Sequence, residues 1–258
     1  VYLFISPHLD DIALSCGGYV RRLTHSGERV VIATVCTADA PPGQPLSPAA
    51  QHEHWQWQLG GQPYRLRCLE DERMAQQLGA EYMHLGLLDA IYRHDAGGRP
   101  LYEGKQFMGG EVHAWDWQQQ YPALLDVLGP LLHVLTPKRV FCPLTAGGHV
   151  DHILTRRAME QLCAPSEIAY YEDYPYAQKD AGALARLLDD GAANAASAAG
   201  VWQPILIELT PEETDARVAA INCYQSQLFA VFGDAASMPQ RVREYIARTG
   251  GERYWERV

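Results

Sequence analysis

The stretch VYLFISPHLDDIALSCGG at residues 1–18 joins an unbroken apolar run to a run of helical character, and three ligand-type side chains, His8, Asp10 and Asp11, fall between the two. Val1 to Ser6 predicts a short buried strand and Ile12 to Ser26 a helix that stops at Gly27. RVVIATVCTA at 29–38 predicts a second continuous apolar strand. Strands that do not alternate in polarity are buried on both faces, so the unit predicts a parallel sheet covered by helices on either side. Such sheets bind ligands beyond the carboxyl ends of their strands. A second stretch, TAGGHVDHI at 145–153, follows the β-rich run RVFCPL at 139–144. His149, Asp151 and His152 are therefore expected at the same sheet edge as His8, Asp10 and Asp11.

The rest of the chain continues the alternation. Ser47-Pro48 has the N-cap and first-turn chemistry of a helix running to about Leu59, and a further helix covers Glu70 to Leu78 and stops at Gly79. Strands are expected at YMHLG (82–86), EIAYYEDY (167–174) and WQPILIEL (202–209), and helices at 117–132, 149–162 and 181–190. Thr210, Pro211 and Glu213 form a capping box that opens a helix to about Phe229, and a last helix near 239–249 closes the chain. GAANAASAAG at 191–200 reads as an excursion. Asp89 to Trp117, rich in glycine and without a clean period, reads as a long irregular binding segment. The expected architecture is α/β: a single domain with a mostly parallel sheet and helices on both faces.

A net charge of −10 and a pI near 5.4 argue against a nucleic-acid or anionic-membrane partner, which calls for a basic face, and favour a small-molecule substrate. No apolar run approaches the roughly 20 residues of a membrane span, and the first residues lack the basic region and cleavage site of a secretory signal. Six scattered cysteines without a CxxC pair suit a reducing cytoplasm.

Two imidazoles and one carboxylate make a common ligand set for a catalytic zinc that keeps a position open for water. The clusters hold more candidates than a metal needs. A surplus carboxylate fits hydrolysis, which requires a base for the water as well as a metal to polarise the carbonyl. Taken alone, an Asp at a helix start is a cap, but three polar residues in four, answered by a second His and Asp cluster, favour metal. His52, Glu53 and His54 do not share a helix face and make a poor second site. Trp115 and Trp117 read as packing residues before sugar-stacking ones.

PHLDD near the start and GGHVDH further on resemble the PIG-L / LmbE-like family of zinc-dependent N-deacetylases, and RCLEDERMAQQLGAEYMHLGLLD and YYEDYPY extend the similarity over most of the chain. The resemblance implies a Rossmann-like fold, one deacetylase domain over 1–258 with an irregular active-site segment at about 89–117, and removal of an N-acetyl or similar acyl group from an amino sugar or sugar conjugate. Carried over by position, it implies His8, Asp11 and His152 as metal ligands and Asp10 as general base. His149 would stabilise the oxyanion, oriented by Asp151, and Arg67 and Asp89 would contact substrate. Zn2+ is the implied metal, with Fe2+ the alternative, and a homo-oligomer is among the states it allows. Some relatives carry a tyrosine where Gly147 stands, so another group supplies that contact or zinc and His149 suffice. Two other functions fit the same residues. A His-x-Asp with a distant His also serves non-haem iron oxygenases, though in all-β settings. A metal-containing sugar-binding module without turnover would have no use for Asp10.

Overall fold

The first eighteen residues fold as the opening of a doubly wound sheet. In the computed structural model, which describes residues 1–179, 182, 184–188 and 201–258, β1 spans Tyr2–Ser6, α1 Asp11–His25 and β2 Val30–Ala38. β3 (Glu81–Leu88), β4 (Arg139–Pro143), β5 (Ile168–Tyr171), β6 (Trp202–Ile207) and β7 (Glu252–Arg257) complete a seven-stranded sheet in the order β3-β2-β1-β4-β5-β7-β6. β1 to β5 pair in parallel, and β7 runs antiparallel to both β5 and β6.

Because neighbouring residues of a strand point to opposite faces, β1 feeds two cores. Phe4 stacks on Phe141 at 4.3 Å and joins Ile12, Val20 and Ile32 on one face. Leu3 and Ile5 join Val31, Val140 and Cys142 on the other. There they meet Leu124 and Leu128 of the helix Gln120–Leu135 and Leu154 and Ala158 of the helix Val150–Leu162. β1 lies between β2 and β4, so the winding reverses across it. The turns after β1 and β4 diverge at that reversal and leave the crevice that open α/β sheets use for ligands.

Five differences from the sequence expectation stand out, the first that β5 ends at Tyr171 rather than at residue 174. The helix Pro63–Leu78 is two turns longer than expected, its added first turns including the buried polar Arg67, which breaks the apolar period there. The helix expected at 117–132 is two: Ala114–Gln118 and Gln120–Leu135. The helix opened by Thr210 runs Pro211–Ile221, and a second, Gln225–Phe232, follows a break. The last helix, Met238–Thr249, does not close the chain, since β7 follows it. Of the helix expected at 181–190, residues 182 and 184–188 are helical; the remainder, and the excursion at 191–200, lie outside the described residues. No helix among the described residues is long and apolar enough to cross a membrane.

Candidate functional site

Two turns build the site, and both are strained at their first step. Asp10, which precedes α1, has φ 145°, and Thr145, just beyond β4, has φ 73°. Non-glycine residues rarely adopt such angles, and they concentrate where surrounding structure must aim side chains. His149 is the N-cap of the helix Val150–Leu162, its Nδ1 accepting from the Asp151 amide at 3.2 Å. With Nδ1 an acceptor, the neutral ring carries its proton on Nε2.

The two clusters meet. His8 Nδ1 lies 3.2 Å from His152 Nε2 and 3.6 Å from Asp11 Oδ2, and His152 Nε2 lies 3.4 Å from the same Asp11 oxygen. Ligands held about 2.0–2.1 Å from a tetrahedral zinc stand roughly 3.3–3.4 Å apart, so these three atoms form one face of such a polyhedron. His8, His149 and His152, and separately His8, Asp89, His149 and Asp151, also bring donor atoms within 4.8 Å of one another. In the second group Asp151 is already matched by Arg93 and by the Ala90 amide at 3.0 Å, and Asp89 accepts from the Tyr64 hydroxyl. The His8, Asp11 and His152 atoms, and the imidazoles of His8, His149 and His152, are the other donor groups at this point.

Charge supports the same point. Burial alone would lower the proton affinity of His8, yet Asp89, Asp11 and Asp151 raise it well above the ordinary imidazole value. Burial opposes His152 too, and Asp11 and Asp173 raise it. Burial works against ionisation of Asp11, but the His152 and His8 imidazoles hold it down to about 2. The centre of the cluster thus favours positive charge, and a divalent cation satisfies it by displacing those protons.

Asp10 stands beside this face with a different environment. Burial pushes its carboxyl up to about 7; Arg67 opposes the shift and the neighbouring Asp11 adds to it. Arg67 Nη2 is 3.9 Å from Asp10 Oδ1 and donates to the Leu9 carbonyl at 3.1 Å, while its guanidinium lies 4.5 Å over the Trp57 ring. Asp89 Oδ1 accepts from the Ile91 amide at 3.1 Å, and its Oδ2 stands 3.6 Å from His8 Nε2. Asp151 approaches His8 Nε2 at 3.1 Å and His149 Nδ1 at 3.9 Å, so its nearer imidazole is His8. Burial, then His8, push His149 well below the ordinary imidazole value.

Of the residues given a site role from sequence, His8, Asp10, Asp11, Arg67, Asp89, His149 and His152 line one cavity of about 260 Å³, and Asp151 sits behind its wall against His8. Lys105, Phe107 and Met108 of the irregular segment line it as well, as do His52 and Glu53 from the helix Pro48–Trp57, which the sequence reading set aside as a poor second site; Gln56 and Tyr176 were not anticipated. Nor was Asp173, whose Oδ1 accepts from His152 Nδ1 at 2.6 Å and whose Oδ2 accepts from the Ala146 amide at 2.9 Å. It fixes the tautomer that turns Nε2 toward the cavity. The signal available for it was YYEDYPY, a similar stretch to which no role was attached. Trp117 is 40 % exposed and packs edge-on against Tyr121.

Comparison with known proteins gives a consistent set. A family profile described as PIG-L, GlcNAc-PI de-N-acetylase, matches residues 3–163. A 2'-N-acetylparomamine deacetylase of Niallia circulans is 25% identical over 247 residues, covering 91% of this chain and 83% of the relative. A protein of the same name from Streptomyces fradiae is 28% identical over 201 residues, and the match spans 72% of this chain but only 61% of that protein. Among solved structures, the zinc-inhibited form of a teicoplanin deacetylase superposes with a TM-score of 0.80 at 26% identity, over 100% of this chain and 97% of that one.

Proposed function

This chain belongs to the PIG-L family of de-N-acetylases, and from that premise we propose that it is a metal-dependent hydrolase that removes an N-acetyl or similar acyl group from an amino sugar or sugar conjugate. We take residues 1–258 as one deacetylase domain. The observation that carries the reading is the face formed by His8 Nδ1, Asp11 Oδ2 and His152 Nε2, 3.2–3.6 Å apart, with the Asp10 carboxyl beside it in the same cavity.

His8, Asp11 and His152 would hold the metal, and zinc is the assignment we favour, with Fe2+ the alternative. A divalent ion there supplies polarisation of the amide carbonyl and a more acidic water. The remaining work falls to the chain. Asp173 and Asp151 orient the imidazoles of His152 and His8, the support that ligand histidines normally need. Asp10, with its carboxyl near 7, is matched to taking a proton from the attacking water at neutral pH and returning it to the departing nitrogen. His149 presents Nε2–H as a neutral donor to the oxygen on which charge develops. Arg67 and Asp89, lining the same cavity, are assigned to the sugar's hydroxyl groups.

The test is acetate release by zinc- or iron-reconstituted protein over a panel of N-acetylated amino sugars and their conjugates, with Asp10→Asn alongside. Loss of the base is expected to lower kcat by about 10²–10⁴-fold while bound metal stays stoichiometric. A wild type and an Asp10→Asn variant that both bind the sugars but release nothing would point instead to a binding module. Oxygen consumption with a 2-oxo acid would replace the hydrolase reading by an oxygenase.

A further inference from the structure

The turn after β4 leaves room beside Gly147 that another element fills. A Cβ placed on Gly147 would lie 2.6 Å from Tyr176 Cγ, 2.8 Å from its Cβ and 3.0 Å from its Cδ2. Real Cβ atoms do not approach other carbons so closely, so the base of the Tyr176 ring occupies the space a side chain at 147 would take. Tyr176 starts the short helix Tyr176–Lys179 and lines the cavity together with His8, Asp10, Asp11, His149 and His152. Two sequence-distant positions are thereby coupled: the absence of a side chain at one admits an aromatic ring from the other.

We propose that Tyr176 is a further catalytic residue of this site, its phenolic hydroxyl donating a hydrogen bond to the carbonyl oxygen of the scissile amide as negative charge builds there. The inference rests on the deacetylase reading above. The cationic donors lining the cavity are Arg67, assigned above to the sugar's hydroxyl groups, and Lys105, which stands exposed on the irregular segment. Tyr176 and His149 are neutral donors that line the cavity with His8, Asp11 and His152, and Gln56, Trp57 and Gln227 line it too. A phenol stays protonated through neutral pH, and burial, then Asp11 and Asp10, push this one higher still. It is therefore a fixed donor and never competes with Asp10 for the water's proton. One preorganised donor of this kind is worth about 10²–10³ in kcat.

Tyr176→Phe keeps the ring that packs on Gly147 and removes only the hydroxyl. With acetate release as the assay, the expected result is a fall in kcat of about 10²–10³-fold with KM within about twofold of wild type, and with bound metal and Tm unchanged. Gly147→Ala, which must push the ring aside, is expected to lower kcat comparably. The double variant is then expected to be no slower than the slower single one, since both remove the same contact. A Tyr176→Phe variant whose kcat matches the wild type overturns the proposal, as does one in which only KM rises. Wild-type protein that releases no acetate anywhere on the panel sinks the deacetylase reading and this inference with it. An active wild type beside an equally active Tyr176→Phe sinks this inference alone.

Discussion

Asp173 is bonded to His152 across 21 positions of sequence, and its effect should be separable from that of the ligands themselves. Asp173→Asn leaves a side chain of the same shape but takes away the charge that favours the His152 Nδ1–H···O bond. Outer partners of this kind typically contribute about 10–100-fold to metal affinity. A loss of that size is expected in competition with a chelating dye, with much of the activity restored by excess metal. Wild-type metal affinity in Asp173→Asn would remove Asp173 from the account. The residues legible from sequence, His8, Asp10, Asp11, His149, Asp151 and His152, sit in two motifs that follow the ends of expected strands, where local pattern and position in the sheet agree. Asp173 and Tyr176 follow the end of β5 in the same way, but the expected strand ran on to residue 174 and hid that end. The orienting role of Asp151 was also under-read, because its nearer imidazole, His8, is 143 positions away.

At the scale of elements, β7 is the strand that sequence pattern missed, and a buried ion pair pins it. Glu252 accepts from the amides of Gly18 at 2.8 Å and Tyr19 at 3.0 Å, and Arg217 Nη1 lies 3.4 Å from the same carboxylate. Arg217 is fully buried and Glu252 nearly so. Removing one partner of a buried pair costs about 3–5 kcal/mol, because the other charge is left uncompensated. Glu252→Ala is expected to lower stability by that amount in a urea titration, whereas an effect under about 1 kcal/mol, typical of an exposed pair, would contradict the assignment. Residues 252–257, ERYWER, escaped notice because their charge resembles a solvated tail. A second coupling joins the helix Pro63–Leu78 to β3: His84 Nε2 is 2.9 Å from Asp71 Oδ2. Burial would lower His84, but Asp71 holds it up to about 10. A histidine raised on folding adds stability that is complete below the unfolded value of about 6.5 and disappears as pH passes the folded one. Since His84 is partly solvated, the advantage of wild type over His84→Gln is expected to be on the order of 1 kcal/mol near pH 6. It should fade by about pH 10, and an advantage that grows with pH would refute the pairing.

For the whole molecule, the proposed ligands come from the turn after β1 and the helix after β4, so a metal bound there would tie together the two sides of the sheet's reversal. Binding to the folded state alone stabilises by RT ln(1 + [L]/Kd), about 2.7 kcal/mol at a hundredfold excess over Kd. In a chain of this size that corresponds to roughly 5–10 °C in Tm. Chelation of the reconstituted protein is expected to lower Tm by that order, and His152→Ala to abolish the difference. An equal chelator effect in His152→Ala would place the metal elsewhere. The sequence by itself determined the α/β class, the sheet edge and the two polar clusters on it. Those follow from unalternating apolar strands and from side chains local to strand ends, which neighbouring residues specify. Only the tertiary structure decided the antiparallel β7, the pairing of Asp151 with His8, and the approach of Asp173 and Tyr176. Each of these is a contact between segments far apart in the chain, selected by the packing of the two cores and carried by no local period.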